Sequence, residues 1–141
     1  MAFEDTLRKH NLPLKESYVL QGDFLKEQAF AAVQNLLDSG EGLPSALFCS
    51  NDDMAISAME AFAERGITIP GDLSIIGFDD VQLAARVNPK LTSVRLPIEE
   101  MSKAAVDTII RLCNGEQPGF STFSFPTQLV VRDSCKPFLP S

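Results

Sequence analysis

Residues 73–78 read Leu-Ser-Ile-Ile-Gly-Phe, a short apolar run with turn residues on both sides. It is too short for an ordinary helix. A strand with one wet face would alternate apolar and polar residues, but here Ile75 and Ile76 are adjacent, so neither face is suited to water. A strand dry on both faces needs helices above and below it, the arrangement of a parallel α/β sheet.

The flanking sequence supplies such helices. "SALFCS" (45–50) is a second strand, and Asp53 to Arg65 is a helix stopped by Gly66. "DFLKEQAFAAVQNLLDSGEG" predicts another helix, with Asp23 as N-cap and Phe30, Val33, Leu36 and Leu37 on one face. "SYVLQG" (17–22) before it predicts a further strand, and Phe3 to Lys9 a short helix stopped by Asn11 and Pro13. Downstream, "VQLAAR" is a single helical turn and "LTSVRLP" is extended. Ile98, Met101, Ala105, Ile109 and Leu112 stripe a long helix that Gly115 ends, and "TFSFPTQLVVRDS" predicts two short strands or an edge hairpin. The expectation is a parallel sheet flanked by helices. The chain opens on a helix with no strand before it, which suggests a piece of a larger α/β unit.

The totals narrow the function. With 141 residues, 45% hydrophobic and 22% charged, the chain can build one globular core. A formal charge of −7 with no Lys/Arg cluster suits polyanions badly, so direct DNA binding is not expected. No apolar run reaches the roughly 20 residues that cross a bilayer, and no secretory h-region is visible. Cys49, Cys113 and Cys135 lack metal or disulfide spacing, so reduced thiols in a cytoplasm are the default.

Ligands of an open parallel sheet bind outside the carboxyl ends of its strands. The three predicted strands run into Asp23-Phe24, Asn51-Asp52-Asp53 and Phe78-Asp79-Asp80. Carboxylates and an amide beside aromatic rings suit a neutral polyhydroxylated ligand, whereas a phosphate would need a glycine-rich loop. N-capping by Asp23 and by Asp52 or Asp53, and staple packing by Phe24, account for part of the same pattern. Asp79 and Asp80 lack further spaced ligands, so no metal is expected, and no residue calls for a cofactor. His10 is a surface residue at a helix end, Cys49 a core residue, and Glu99-Glu100 a helix first turn favoured by its dipole. No nucleophile elbow is present, and the expected mechanism is binding rather than catalysis. The helix from Asp53 has two apolar stripes, Met54-Ala58-Phe62 and Ile56-Met59-Ala63. The second meets either another helix of this chain or a twofold partner.

One ordered series carries more. Asn51-Asp52-Asp53-Met54-Ala55, Arg65-Gly66 with Pro70, Ile75-Ile76-Gly77-Phe78-Asp79-Asp80, Pro89 with Leu91-Thr92-Ser93-Val94, Pro97, Met101, and Pro126-Thr127 with Leu129-Val130-Val131-Arg132 follow one another. Together they resemble the C-terminal, effector-binding part of the lactose/galactose repressor family of bacterial transcription regulators. The resemblance implies a periplasmic-binding-protein-like fold of two α/β lobes around an effector cleft. It implies that Asn51 and Asp79 contact a small effector (a sugar or related polyol, or a nucleobase). Phe24 stands where an aromatic residue often stacks, so Asn51 would face the ligand while its Asp neighbours start the helix. It divides the chain into residues 1–97 of one lobe, an incomplete one, 98–115 as a helix of the other lobe, and 116–141 as C-terminal strands and tail. It also implies a homodimer, with Ile56, Met59 and Ala63 at the interface. The family's helix-turn-helix, hinge helix and first lobe have no counterpart here, nor does an effector-contacting Arg expected just before Met1. Effector binding by these residues on their own should therefore be weak or absent, and the stripe from Ile98 should pack elsewhere or lie exposed. Two other readings stay open: a sugar-binding protein of a transport system, and an α/β sugar hydrolase acting through Asp79.

Overall fold

The computed structural model describes residues 2–116 and 122–137. Its helices are α1 (Ala2–Lys9), α2 (Lys26–Asp38), α3 (Asp52–Glu64) and α4 (Ile98–Cys113). Its strands are β1 (Ala46–Phe48), β2 (Ser74–Asp79), β3 (Thr92–Arg95) and β4 (Gln128–Val130), in that spatial order. β1, β2 and β3 are parallel, and β4 closes the far edge antiparallel to β3. Leu73–Phe78 lies at the centre of the parallel set. Leu73 and Ile75 are fully buried on the face that α3 covers, whereas Ser74, Ile76 and Phe78 on the other face are half-exposed, so the strand is dry on one face rather than both.

α3 holds the core together. Ala55, Ala61 and Phe62 are completely buried, packing with Leu73, Ile75 and Leu91. Small alanines let the helix approach the sheet, while Phe62 supplies bulk; burying one such ring is worth roughly 1.5–3 kcal/mol. α2 packs on α3. Polar ties add to the contact: among them, Ser57 Oγ donates to Lys26 O (2.7 Å), and Arg65 pairs with Asp38 (2.6 Å). Gly66, at φ 72°, ends α3 in the left-handed conformation that glycine adopts without steric cost.

Three further expectations change. First, Ser17–Gly22 is not a strand; Glu16–Tyr18 forms a 3-10 turn and the following residues are unpaired. The third parallel strand is instead Thr92–Arg95. A strand needs a ladder partner, and this segment has none among the described residues. Ser45 O accepts from Ser74 N–H and Cys49 N–H donates to Ile76 O, so the odd-numbered residues of β1 face β2. Ala46 and Phe48 must then turn their backbone groups to the outer edge. Across that edge, neither Leu20 nor Gln21 makes a backbone hydrogen bond among the described residues. Between the two lies an apolar cavity of about 240 Å³, lined by Val19, Leu20, Leu47, Phe48, Cys49 and Ala58 among others. The pattern of "SYVLQG" fits a strand, but its would-be neighbour is a void. Second, α2 begins at Lys26 without a side-chain cap; Asp23 sits at φ 47° and accepts from Gln21 Nε2 (2.5 Å). Third, the tail contributes one strand, Gln128–Val130, and residues 122–127 are not paired. Residues 117–121 lie outside the described residues.

No residue of α4 is buried, and Ile98, Ile109 and Leu112 of its stripe are each more than half exposed. The expected outcome of an unpartnered apolar stripe is what the chain shows. Among the described residues, no helix is long and apolar enough to cross a membrane.

Candidate functional site

The sheet register determines where the strand ends lie. Phe48 pairs with Ile76 and Asp79 with Arg95. Asn51 and Asp79 each stand three residues beyond a paired position, so both lie on the carboxyl-end rim at the same level. Phe24 reaches this rim by another route, since no strand precedes it. It occupies a turn at φ 59° whose carbonyl accepts from Asn51 Nδ2 (3.3 Å), and the residue is 70% exposed. Asn51 and Phe24 are thus in direct contact, and Asp79 stands at the level of Asn51 on the neighbouring strand's exit, near enough to Asp53 to feel its charge. Lys26 Nζ in turn pairs with Asp53 (3.1 Å).

The division of labour in Asn51-Asp52-Asp53 is not the expected one. Asn51 is the N-cap of α3: its Oδ1 accepts from Met54 N–H (2.8 Å). That leaves one Nδ2 hydrogen and one Oδ1 lone pair free for a ligand. Asp52 points inward and is fully buried. Its Oδ1 accepts from Ser93 Oγ (2.6 Å) and its Oδ2 from Val81 N–H (2.8 Å). Burial pushes the Asp52 carboxyl above the usual range, with Asp79 and Asp80 adding to this, against the Ser93 and Val81 hydrogen bonds.

Asp79 and Asp80 both sit at positive φ, 105° and 55°. Non-glycine residues there cost on the order of 1–3 kcal/mol each and persist only when held by their surroundings. Asp80 is held firmly: its side chain, 3% exposed, meets Arg132 Nη2 (2.5 Å) and Arg95 Nε (2.6 Å). Burial would raise its carboxyl, but those hydrogen bonds and charges outweigh it and hold it below the usual range. Asp79 is half-buried, and its side chain makes no hydrogen bond or ion pair among the described residues. Burial, then Asp53, pushes its carboxyl up. Of the two acids, Asp80 is consumed by structure, and the Asp79 carboxylate has no such partner among the described residues. Among the described residues, no group of three or more His, Cys, Asp or Glu could hold a metal ion.

Ile56 and Met59 are nearly buried, packed by this chain's own Ile67, Ile69 and Val87, while Ala63 is exposed. These residues line one shallow cleft of about 290 Å³ with Asn88 and Pro89. Sequence reasoning missed Ser93 and Arg132, which lie 41 and 52 residues from the acids they bond.

An open α/β lobe with polar side chains on the carboxyl-end rim has the arrangement at which small molecules are bound. The chain belongs to the periplasmic binding protein-like domain family, whose model matches residues 1–135. Its relatives are LacI-family transcriptional regulators. The probable HTH-type transcriptional repressor ExuR of Bacillus subtilis is 35% identical over 92% of this chain and 39% of its own length. A sugar-binding transcriptional regulator of the LacI family from Escherichia coli, solved with phosphate, superposes with a TM-score of 0.81 and 36% identity. That match covers 94% of this chain and 47% of the regulator. The regulator CelR in complex with cellobiose gives a TM-score of 0.87 at 28% identity, over 94% of this chain and 40% of CelR. The chain thus spans about two fifths of the length of the regulators it matches.

Proposed function

We propose that this chain is the effector-binding and dimerising part of a sugar-responsive regulator, acting in the cytoplasm, without direct contact to DNA. The observation that carries the reading is the shared rim. Asn51 and Asp79 exit paired parallel strands at one level, and Asp79 keeps its carboxylate unengaged. A carboxylate and an amide side by side accept and donate to adjacent hydroxyls, and the exposed Phe24 ring can lie against the apolar face of a sugar. Residues 1–97 supply this half of the cleft, and the exposed stripe of α4 (within 98–115) packs against a second lobe. A ligand bridging both lobes then biases an open–closed equilibrium through its differential affinity. Ala63 and the cleft beneath it are the proposed twofold contact. That the relatives are regulators speaks against a transport protein or a sugar hydrolase.

Calorimetric titration with monosaccharides, cellobiose and purines tests this. These 141 residues should show no binding at micromolar or tighter affinity, because half the cleft is lacking. A polypeptide carrying both lobes should bind one member, and Asp79→Asn there should weaken it by about tenfold or more. Micromolar binding by the 141 residues would overturn the two-lobe mechanism.

A further inference from the structure

The rim turn Asp79-Asp80-Val81 departs from ordinary backbone geometry at two successive residues, and neither is glycine. Something must hold it, and the Arg95 and Arg132 contacts reach only the Asp80 side chain. The backbone of the turn is gripped from inside the core. Val81 N–H donates to Asp52 Oδ2 (2.8 Å), and Asp80 N–H donates to Ser93 Oγ (3.1 Å), which itself donates to Asp52 Oδ1 (2.6 Å). One buried carboxylate therefore captures two successive amides, one directly and one through a hydroxyl. It stands at the start of α3, one residue after Asn51, so it ties the exit of β1 to the exit of β2. The neighbouring strand makes room for it: a Cβ on Gly77 would collide with Asp52 Oδ1 and with Leu91 Cδ2.

We infer that Asp52 is a positioning residue for the effector rim. By clamping the Asp80 and Val81 amides it holds Asp79 in the left-handed geometry that presents its carboxylate beside Asn51. The role rests on the reading of Asp79 as an effector contact, but the clamp itself is measurable without any ligand. Asp52→Asn leaves one acceptor oxygen and introduces a donor, so the Ser93 hydroxyl and the Val81 amide cannot both be satisfied as before. Gly77→Ala reaches the same place without touching charge, by displacing Oδ1. Ser93→Ala removes the Asp80 arm and leaves the Val81 arm.

The test is amide hydrogen exchange together with residual dipolar couplings on the 141-residue chain and these three variants. Asp52→Asn and Gly77→Ala should each speed exchange at Val81 by about tenfold or more, the effect of losing a charge-assisted hydrogen bond. The N–H vectors of Asp79, Asp80 and Val81 should reorient, while the couplings of Val33, Phe62 and Leu73 stay unchanged. Ser93→Ala should loosen Asp80 more than Val81, and it decides the matter if Asp52→Asn does not fold. Unchanged couplings and protection at 79–81 in folded Gly77→Ala and Ser93→Ala would overturn the inference. Failure of the effector reading would appear elsewhere, as unaltered effector affinity on Asp79→Asn in the two-lobe polypeptide.

Discussion

Asn51 performs two tasks that substitution can separate. Its Oδ1 caps α3 through Met54 N–H, and its Nδ2 ties the Phe24 carbonyl to the rim. Asn51→Ala removes both. Loss of an N-cap costs about 1 kcal/mol, and the longer, solvent-accessible tie at 3.3 Å adds no more than about 0.5 kcal/mol. Asn51→Ser retains a capping oxygen and loses only the tie. With a urea slope of about 2 kcal/mol/M, the midpoint should fall by roughly 0.5–0.8 M for Ala and by less than about 0.3 M for Ser. Urea unfolding followed by far-UV circular dichroism reads both. The Phe24 turn, by contrast, should loosen equally in the two variants, visible as faster exchange at Leu25. Equal midpoints for Ala and Ser would refute the assignment of Asn51 as the cap, and would return that role to its acidic neighbours.

Further consequences concern the charges and thiols. Arg132→Met removes one partner of a nearly buried Asp80 and the donor to Leu91 O, so stability should drop by about 2–4 kcal/mol in urea unfolding. Because Asp80 is held low when folded, its contribution is present at neutral pH and is lost as pH falls through its folded value. Asp52 and Asp79 are raised when folded, so they oppose this. Acidification through their folded values adds stability until their unfolded value is reached, and Asp52→Asn should remove part of that gain in urea midpoints measured across pH. Burial, and then the nearby Asp52, push the Cys49 thiol up to about 12, so iodoacetamide at pH 8 should label the exposed Cys113 and leave Cys49 intact by mass spectrometry.

What was legible in the sequence followed from local pattern. Leu73–Phe78 announced a central parallel strand, although only its Leu73-Ile75-Gly77 face is buried and the face of Ser74, Ile76 and Phe78 is half-exposed, while Gly66 and Gly115 marked helix ends by their conformational freedom. The apolar stripe of α4 was legible too, though the sequence left open whether it packs elsewhere or lies exposed, as it does. The misses were matters of partnership. Val19 and Leu20 have strand character, but pairing depends on what lies alongside, which no local window contains. Three capping residues in a row at Asn51-Asp52-Asp53 could not be ranked by type; the backbone phase gives the cap to Asn51 and turns Asp52 inward. The bonds of Ser93 to Asp52 and of Arg132 to Asp80 span some forty to fifty residues, and only the pairing of β2 with β3 and of β3 with β4 brings their members together.

The account depends most on a ligand meeting the carboxyl-end rim. A crystal structure of the two-lobe polypeptide with its tightest-binding sugar measures this directly. Ligand hydroxyls within hydrogen-bond distance of both the Asp79 carboxylate and the Asn51 amide are the predicted result. A ligand seated in the apolar cavity between Val19 and Phe48, with Asp79 untouched, would contradict it.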